Sequence, residues 1–101
     1  MSRHPETEAI RAITRLVAEV TGVEVADILG PSRSRPVTAA RALAAALCVD
    51  LVRGATTTTI AHALGGRHHS FAVRAAQAAS GTAKYAALKA MAIKLEEVRA
   101  L

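Results

Sequence analysis

Alanine supplies 24 of the 101 residues of this chain, whereas Phe71 and Tyr85 are its only aromatic residues. Alanine has the highest intrinsic helix propensity, and all-β sandwiches favour β-branched and aromatic strands. The apolar half of the composition, 51% of the chain, therefore predicts an all-α fold built from small side chains. At this length we expect a single compact domain over residues 1–101, with no second full-sized domain.

The sequence also excludes several classes of protein. No apolar run approaches the roughly 20 residues that span a bilayer, and the first residues lack the apolar core of a signal peptide. We therefore expect a soluble, cytoplasmic protein with no membrane partner. Cys48 is the single cysteine, which excludes an intrachain disulfide and a cysteine-rich zinc site. No cofactor or metal is predicted.

The spacing of apolar residues and the position of glycines predict a small bundle of about six helices. A loop at residues 31–36, Pro-Ser-Arg-Ser-Arg-Pro, is too polar and too rich in proline for a helix. The predicted helices are Pro5 to Val20, a short one through 25–29, a long one from Thr38 to about 52, a short one from 56–59 to Gly65, one from His69 or Ser70 to 80, and a last one from Tyr85 almost to Leu101.

Charge is distributed unevenly along the chain, although its formal net value is only +5. Between Ile28 and Leu95 there are nine lysines and arginines and one acid, Asp50, so this segment carries +8. The other acidic residues lie near the two ends. Such a one-sided segment indicates a polyanionic partner, of which nucleic acid is the commonest.

A helix-turn-helix pattern lies in the middle of the basic segment. Ala61 is small enough for two helices to approach closely, Gly65 follows four residues later and permits a tight turn, and a helix with a polar outer face comes next. Many helical hairpins contain this spacing, but the surrounding positive charge favours DNA binding. The expected architecture is a helix-turn-helix bundle of the Trp-repressor-like type.

Residues 59–70, Thr-Ile-Ala-His-Ala-Leu-Gly-Gly-Arg-His-His-Ser, resemble the signature of the C-terminal DNA-binding domain, domain IV, of the bacterial replication initiator DnaA. That signature typically reads Ile-Gly-x-x-Phe-Gly-Gly-Arg-Asp-His-Thr-Thr-Val. Upstream, residues 32–35 and the helix around Ala40 and Arg41 resemble the basic loop of that domain and its following helix. The resemblance covers roughly residues 9–79.

The resemblance implies specific roles for single residues. Arg33 would enter the minor groove, and His69 and Ser70 would face base edges in the major groove. Arg67 would steady the turn or meet a phosphate. The complete set of DNA-binding residues expected from the sequence is Arg33, Arg35, Arg41, Arg67, His68, His69, Ser70, Phe71 and Arg74.

Three residues depart from the family pattern. His68 stands where the family usually has Asp, and Ala42 where it often has a polar residue. Phe71 replaces the second Thr and would either touch a thymine methyl group or pack back into the domain. Because an aspartate can accept a hydrogen bond from a cytosine amino group, these departures predict a changed base readout.

The sequence contains no Gly-x-x-x-x-Gly-Lys-Ser/Thr motif, so we expect no ATPase activity. Ser70 has neighbouring histidines but no evident orienting carboxylate, so we also expect no enzyme. The chain is then either an excised C-terminal domain or a free-standing relative, and the free-standing relative is favoured. Such a protein would regulate replication or transcription by occupying sites on double-stranded DNA. Other replication or regulatory proteins are further candidate partners. The alternative is a helical protein-interaction module whose basic face or last helix binds an acidic or helical protein.

Overall fold

The computed structural model describes residues 4–101, and every regular element in that range is a helix. The all-α prediction is therefore confirmed, with seven helices in the described residues where about six were expected. The helices are α1 (Pro5–Thr21), α2 (Val25–Leu29), α3 (Arg35–Leu51), α4 (Thr57–Ala63), α5 (His69–Ala79), α6 (Ala83–Ala92) and α7 (Glu96–Arg99).

The long helix α3 begins three residues earlier than its sequence predicts. Pro36 lies in the first turn, where a missing N–H costs no helical hydrogen bond. Thr38 does not cap the helix, because its hydroxyl donates to the Arg35 carbonyl at 3.1 Å. The connecting loop is consequently shorter than expected, and Arg35 belongs to the helix.

The prediction of one continuous last helix is wrong. Helix α6 ends at Ala92, and the extended backbone of Leu95 (φ −65°, ψ 134°) starts the separate helix α7. The break turns α7 toward α1, where Glu97 lies 3.8 Å from Arg15. Leu95, Val98 and Leu101 then pack against the core, and this burial of apolar area compensates for the interrupted helix.

Helix α3 forms the centre of the bundle and packs most extensively against α5 and α1. Its six consecutive residues from Leu43 to Cys48 are all buried, which is possible only for a helix that is surrounded by neighbours. The buried face of α5 consists of Ala72, Ala75 and Ala79. The high alanine content thus brings α5 close to α3.

Threonine side chains cap two of the helices, and the sequence predicts the first of these caps, at the start of α4. The hydroxyl of Thr56 accepts from the Thr59 N–H at 3.1 Å at the start of α4. The hydroxyl of Thr82 accepts from the Tyr85 N–H at 3.1 Å at the start of α6. Such caps satisfy helix N–H groups that have no partner within the helix.

No helix in the described range 4–101 has the length and apolar character needed to cross a membrane. Within the same residues, no cluster of three histidine, cysteine or acidic side chains has a geometry that would hold a metal ion.

Candidate nucleic-acid interface

The segment between α2 and α3, residues 30–34, is called the basic loop below. The Ser32 hydroxyl accepts from the Ser34 N–H and lies 3.3 Å from both the nitrogen and the hydroxyl of that residue. This local turn leaves the side chain of Arg33 exposed. Arg35, in the first turn of α3, is also exposed, so both arginines predicted for this region are available to a partner.

Arg41 has a different environment from the one that its sequence position suggests. It is only 4% exposed. Its Nε donates to the Ile28 carbonyl at 2.7 Å, and its Nη2 donates to the carbonyls of Asp27 and Gly30, each at 3.0 Å. Those carbonyls lie at the end of α2, where helix carbonyls have no intrahelical partner. These three bonds engage the Arg41 guanidinium in an internal contact that holds α2 and the basic loop on α3.

Arg67 connects the basic loop to the helix-turn-helix. Its Nη1 donates to the Leu64 carbonyl at 2.5 Å, and its Nη2 donates to the Gly30 carbonyl at 2.6 Å. The same Gly30 oxygen accepts from Arg41, so two guanidinium groups meet at the first residue of the loop. Burial lowers the pKa of Arg67, and burial together with the nearby Arg67 charge lowers that of Arg41. Both guanidinium groups remain charged, because arginine stays protonated in proteins.

Gly65 makes this convergence possible. Its φ of +106° lies in the region that favours glycine. A Cβ at this position would collide with the Leu29 carbonyl oxygen and the Arg67 guanidinium. The turn between α4 and α5 can therefore lie against the end of α2 only because residue 65 has no side chain.

The start of α5 is organised by the side chains of His68, Ser70 and Arg74. His68 Nδ1 accepts from the Ser70 N–H at 3.2 Å and so caps the helix. Arg74 Nη2 lies 3.4 Å from the Ser70 hydroxyl. The ring of His69 lies beside that of His68, with 4.2 Å between their centroids. His68, His69 and Arg74 are exposed and Ser70 is half-buried, so the structure brings these four predicted residues together.

Phe71 lies on the inner side of the same helix. It is half-buried and packs against the core, and the guanidinium carbon of Arg67 lies 5.7 Å from the centre of its ring. Of the two roles considered from the sequence, this placement supports packing rather than a thymine contact. The contact also orients Arg67 by a cation–π interaction.

The electrostatics of this side of the molecule are strongly positive. Neither α3 nor α5 has an acidic residue in its first turn, although acids there would stabilise the helix dipole. In the described part of the chain the salt bridges involve Arg11, Arg15 and Lys89, none of which lies on the basic loop or α5. A surface with unneutralised arginines at two helix N-termini is suited to phosphate oxygens.

Asp50 lies outside this surface and is not the isolated acid that the sequence suggests. It accepts a 2.5 Å hydrogen bond from the Tyr85 hydroxyl and lies 2.9 Å from Lys89 Nζ. These hydrogen bonds lower the pKa of Asp50, whereas burial and the carboxylate raise that of Tyr85. The i,i+4 spacing of Tyr85 and Lys89 places both on one helix face. That spacing was the available sequence signal for a network joining α6 to α3.

Comparison with known protein families identifies the family to which this arrangement of helices belongs. Residues 10–78 match the family described as the bacterial dnaA protein helix-turn-helix. The chain belongs to the bacterial DnaA helix-turn-helix family. The match spans α2 to α5, most of α1 and all nine residues predicted for the interface, and the function supported by this DnaA family is DNA binding. No curated protein and no solved structure matches the chain.

One element of the DnaA-like interface was missed by sequence reasoning. The Gly30 carbonyl is a backbone acceptor, and backbone atoms leave no compositional signal. The role of Arg41 in holding that carbonyl follows only from the position of α2 on α3, because donor and acceptor are 11 residues apart in the sequence.

Proposed function

We propose that the protein binds double-stranded DNA sequence-specifically and thereby regulates replication or transcription without ATPase activity. In this proposal the whole chain is one DNA-binding domain, the N-terminal part of α5 enters the major groove, and Arg33 of the basic loop enters the adjacent minor groove. His69 and Ser70 face base edges, and Arg35 and Arg74 contact phosphates or bases nearby.

The observation that carries this proposal is the pair of bonds from Arg67, to Leu64 in the helix-turn-helix and to Gly30 in the basic loop. A protein that reads two adjacent grooves must hold its two reading elements at a constant separation, since less order then has to be gained on binding. Arg67 supplies that connection, and neither α3 nor α5 has an acidic residue in its first turn. A solvated basic face with no binding role would not require such a link between them.

The first experiment is a selection of bound sequences from a random pool of duplexes, followed by a salt titration on the enriched sequence. If about six cations contact phosphates, raising salt from 50 to 200 mM should weaken binding roughly a thousandfold. Enrichment of a defined motif would support sequence-specific binding. Absence of duplex binding at low salt would refute the proposal and leave the protein-interaction module as the remaining candidate.

The role of Arg33 has a matched control in Arg53, which is an exposed arginine beyond the opposite end of α3. The 17 residues of that helix extend about 25 Å. Arg33→Ala should lower affinity most on sites with A·T-rich flanks, where the minor groove is narrow and most negative. Arg33→Lys should restore only part of the loss, because the ammonium group is more strongly hydrated.

Arg53→Ala should lose little affinity on the same sites. Both alanine variants should melt at the parental temperature, because neither side chain donates a hydrogen bond within the described chain. Equal affinity of the Arg33→Ala variant and the parent for A·T-flanked DNA would show that the basic loop is only a connector.

A further inference from the structure

His68 caps α5 in a way that determines which of its ring nitrogens carries the proton. Its Nδ1 lies 3.2 Å from the backbone nitrogen of Ser70. A backbone N–H can only donate, so Nδ1 is the acceptor and has no proton. The single proton of the neutral imidazole is therefore on Nε2.

The neighbouring side chains keep this arrangement in place. The Ser70 hydroxyl lies 3.0 Å from the same Nδ1, and with that nitrogen unprotonated the hydroxyl is the donor. Arg74 in turn donates to the Ser70 oxygen at 3.4 Å. The His69 ring, 4.2 Å away and tilted by 37°, limits the room for the His68 ring to turn. The exposed Nε2–H of His68 and the remaining N–H groups of Arg74 thus present donors to the partner.

We infer that His68 is a specificity-determining residue that selects a hydrogen-bond acceptor on the DNA, with guanine as the preferred base. Guanine presents two acceptors, N7 and O6, in the major groove, whereas adenine and thymine present one each (N7 and O4) and cytosine presents an amino donor. The Nε2–H can donate to guanine but cannot accept from an amino group. This inference rests on the proposed function, since it requires the start of α5 to lie in the major groove.

Two substitutions separate the reading role of His68 from its capping role. Aspartate and serine are both favoured N-cap residues, so His68→Asp and His68→Ser should preserve the start of α5. The aspartate presents only acceptors at this position, and the serine is too short to reach a base edge. The three proteins therefore differ in the hydrogen-bonding groups that they present to DNA, while all three keep a capped α5. Melting temperatures of both variants equal to that of the wild-type protein would verify the cap.

The experiment is a selection from one randomised duplex pool with each of the three proteins, followed by affinities for duplexes that differ at a single base pair. The wild-type protein should prefer guanine at one position by roughly tenfold, as expected for a hydrogen bond whose loss leaves a desolvated donor unpaired. His68→Ser should reduce that preference to less than twofold, with the other positions unchanged. His68→Asp should instead select cytosine or adenine, which carry an amino group in the major groove.

Identical base preferences for the wild-type protein and His68→Asp at every position would overturn the inference, while enrichment itself would leave the proposed function intact. A pool that the wild-type protein fails to enrich would refute the proposed function, and the role of His68 with it.

Discussion

The alanine substitution of Gly65 provides the sharpest test of how the turn and the basic loop are joined. Two penalties act at this position. The φ of +106° is unfavourable for any residue with a Cβ, at a cost of about 1–2 kcal/mol. The new methyl group would also stand 3.1 Å from the Leu29 carbonyl carbon and closer still to its oxygen. Because that neighbour is backbone, relieving the overlap should cost a further ~1–3 kcal/mol.

Two other glycines separate these penalties. Gly66 has a φ of +71° and open space at its Cβ position, so Gly66→Ala should incur only the backbone cost. At Gly81 there is neither a positive φ nor a neighbour within 4 Å, and alanine there should be neutral or stabilising by about 0.4–1 kcal/mol. The predicted order of free energies of unfolding is therefore Gly81→Ala above Gly66→Ala above Gly65→Ala.

Chemical denaturation and thermal melting of the three variants would measure this order. The gap of about 1–3 kcal/mol between Gly65→Ala and Gly66→Ala corresponds to roughly 5–20 °C in melting temperature for a domain of this size. If Gly65→Ala cost no more than Gly66→Ala, the close approach of the turn to the end of α2 would be disproved. The bonds of Arg67 to Leu64 and Gly30 would then need a different explanation.

Three further predictions concern groups away from the turn. Arg41→Met should lower the free energy of unfolding by about 1–3 kcal/mol, since it removes the three hydrogen bonds of the guanidinium to carbonyls at the end of α2. A variant as stable as the parent in urea denaturation would contradict the internal role of Arg41. Because hydrogen bonds from Tyr85 and Lys89 lower the pKa of Asp50 from 3.8, its stabilising effect should be complete at neutral pH and be lost as pH falls below about 4. The stability difference between the parent and Asp50→Asn should then shrink on acidification, and a constant difference from pH 6 to pH 3 would refute this. Burial raises the pKa of Cys48 to about 12. The native thiol should therefore resist alkylation at pH 8 and react only on unfolding. Rapid labelling of the folded protein would show that the core is open.

The positions of the helices and the location of the interface follow largely from local sequence properties. Threonine caps, glycine stops and apolar spacing act within one or two helical turns, so they predict α1, α4 and α5 to within about two residues. The last helix is the exception. Residues 83–99 have an uninterrupted apolar seam, but the gain from packing Leu95, Val98 and Leu101 on the core breaks the helix at 93–95. This gain in buried apolar area depends on surfaces that are distant in sequence, so no local sequence pattern predicts it.

The interface divides in the same way between local and distant determinants. The sequence by itself determined that the segment between Ile28 and Leu95 carries +8, with arginines in the basic loop and beside α5. Charge and turn chemistry belong to single residues and their neighbours, so both can be read without the fold. Only the tertiary structure decided which arginines face outward. Arg33 remains exposed, whereas Arg41 and Arg67 converge on the Gly30 carbonyl from 11 and 37 residues away. The physical reason is that a carbonyl removed from water needs a donor from whichever element the fold places beside it. Here the packing of α2 against α3, and of the turn against both, determines which element that is.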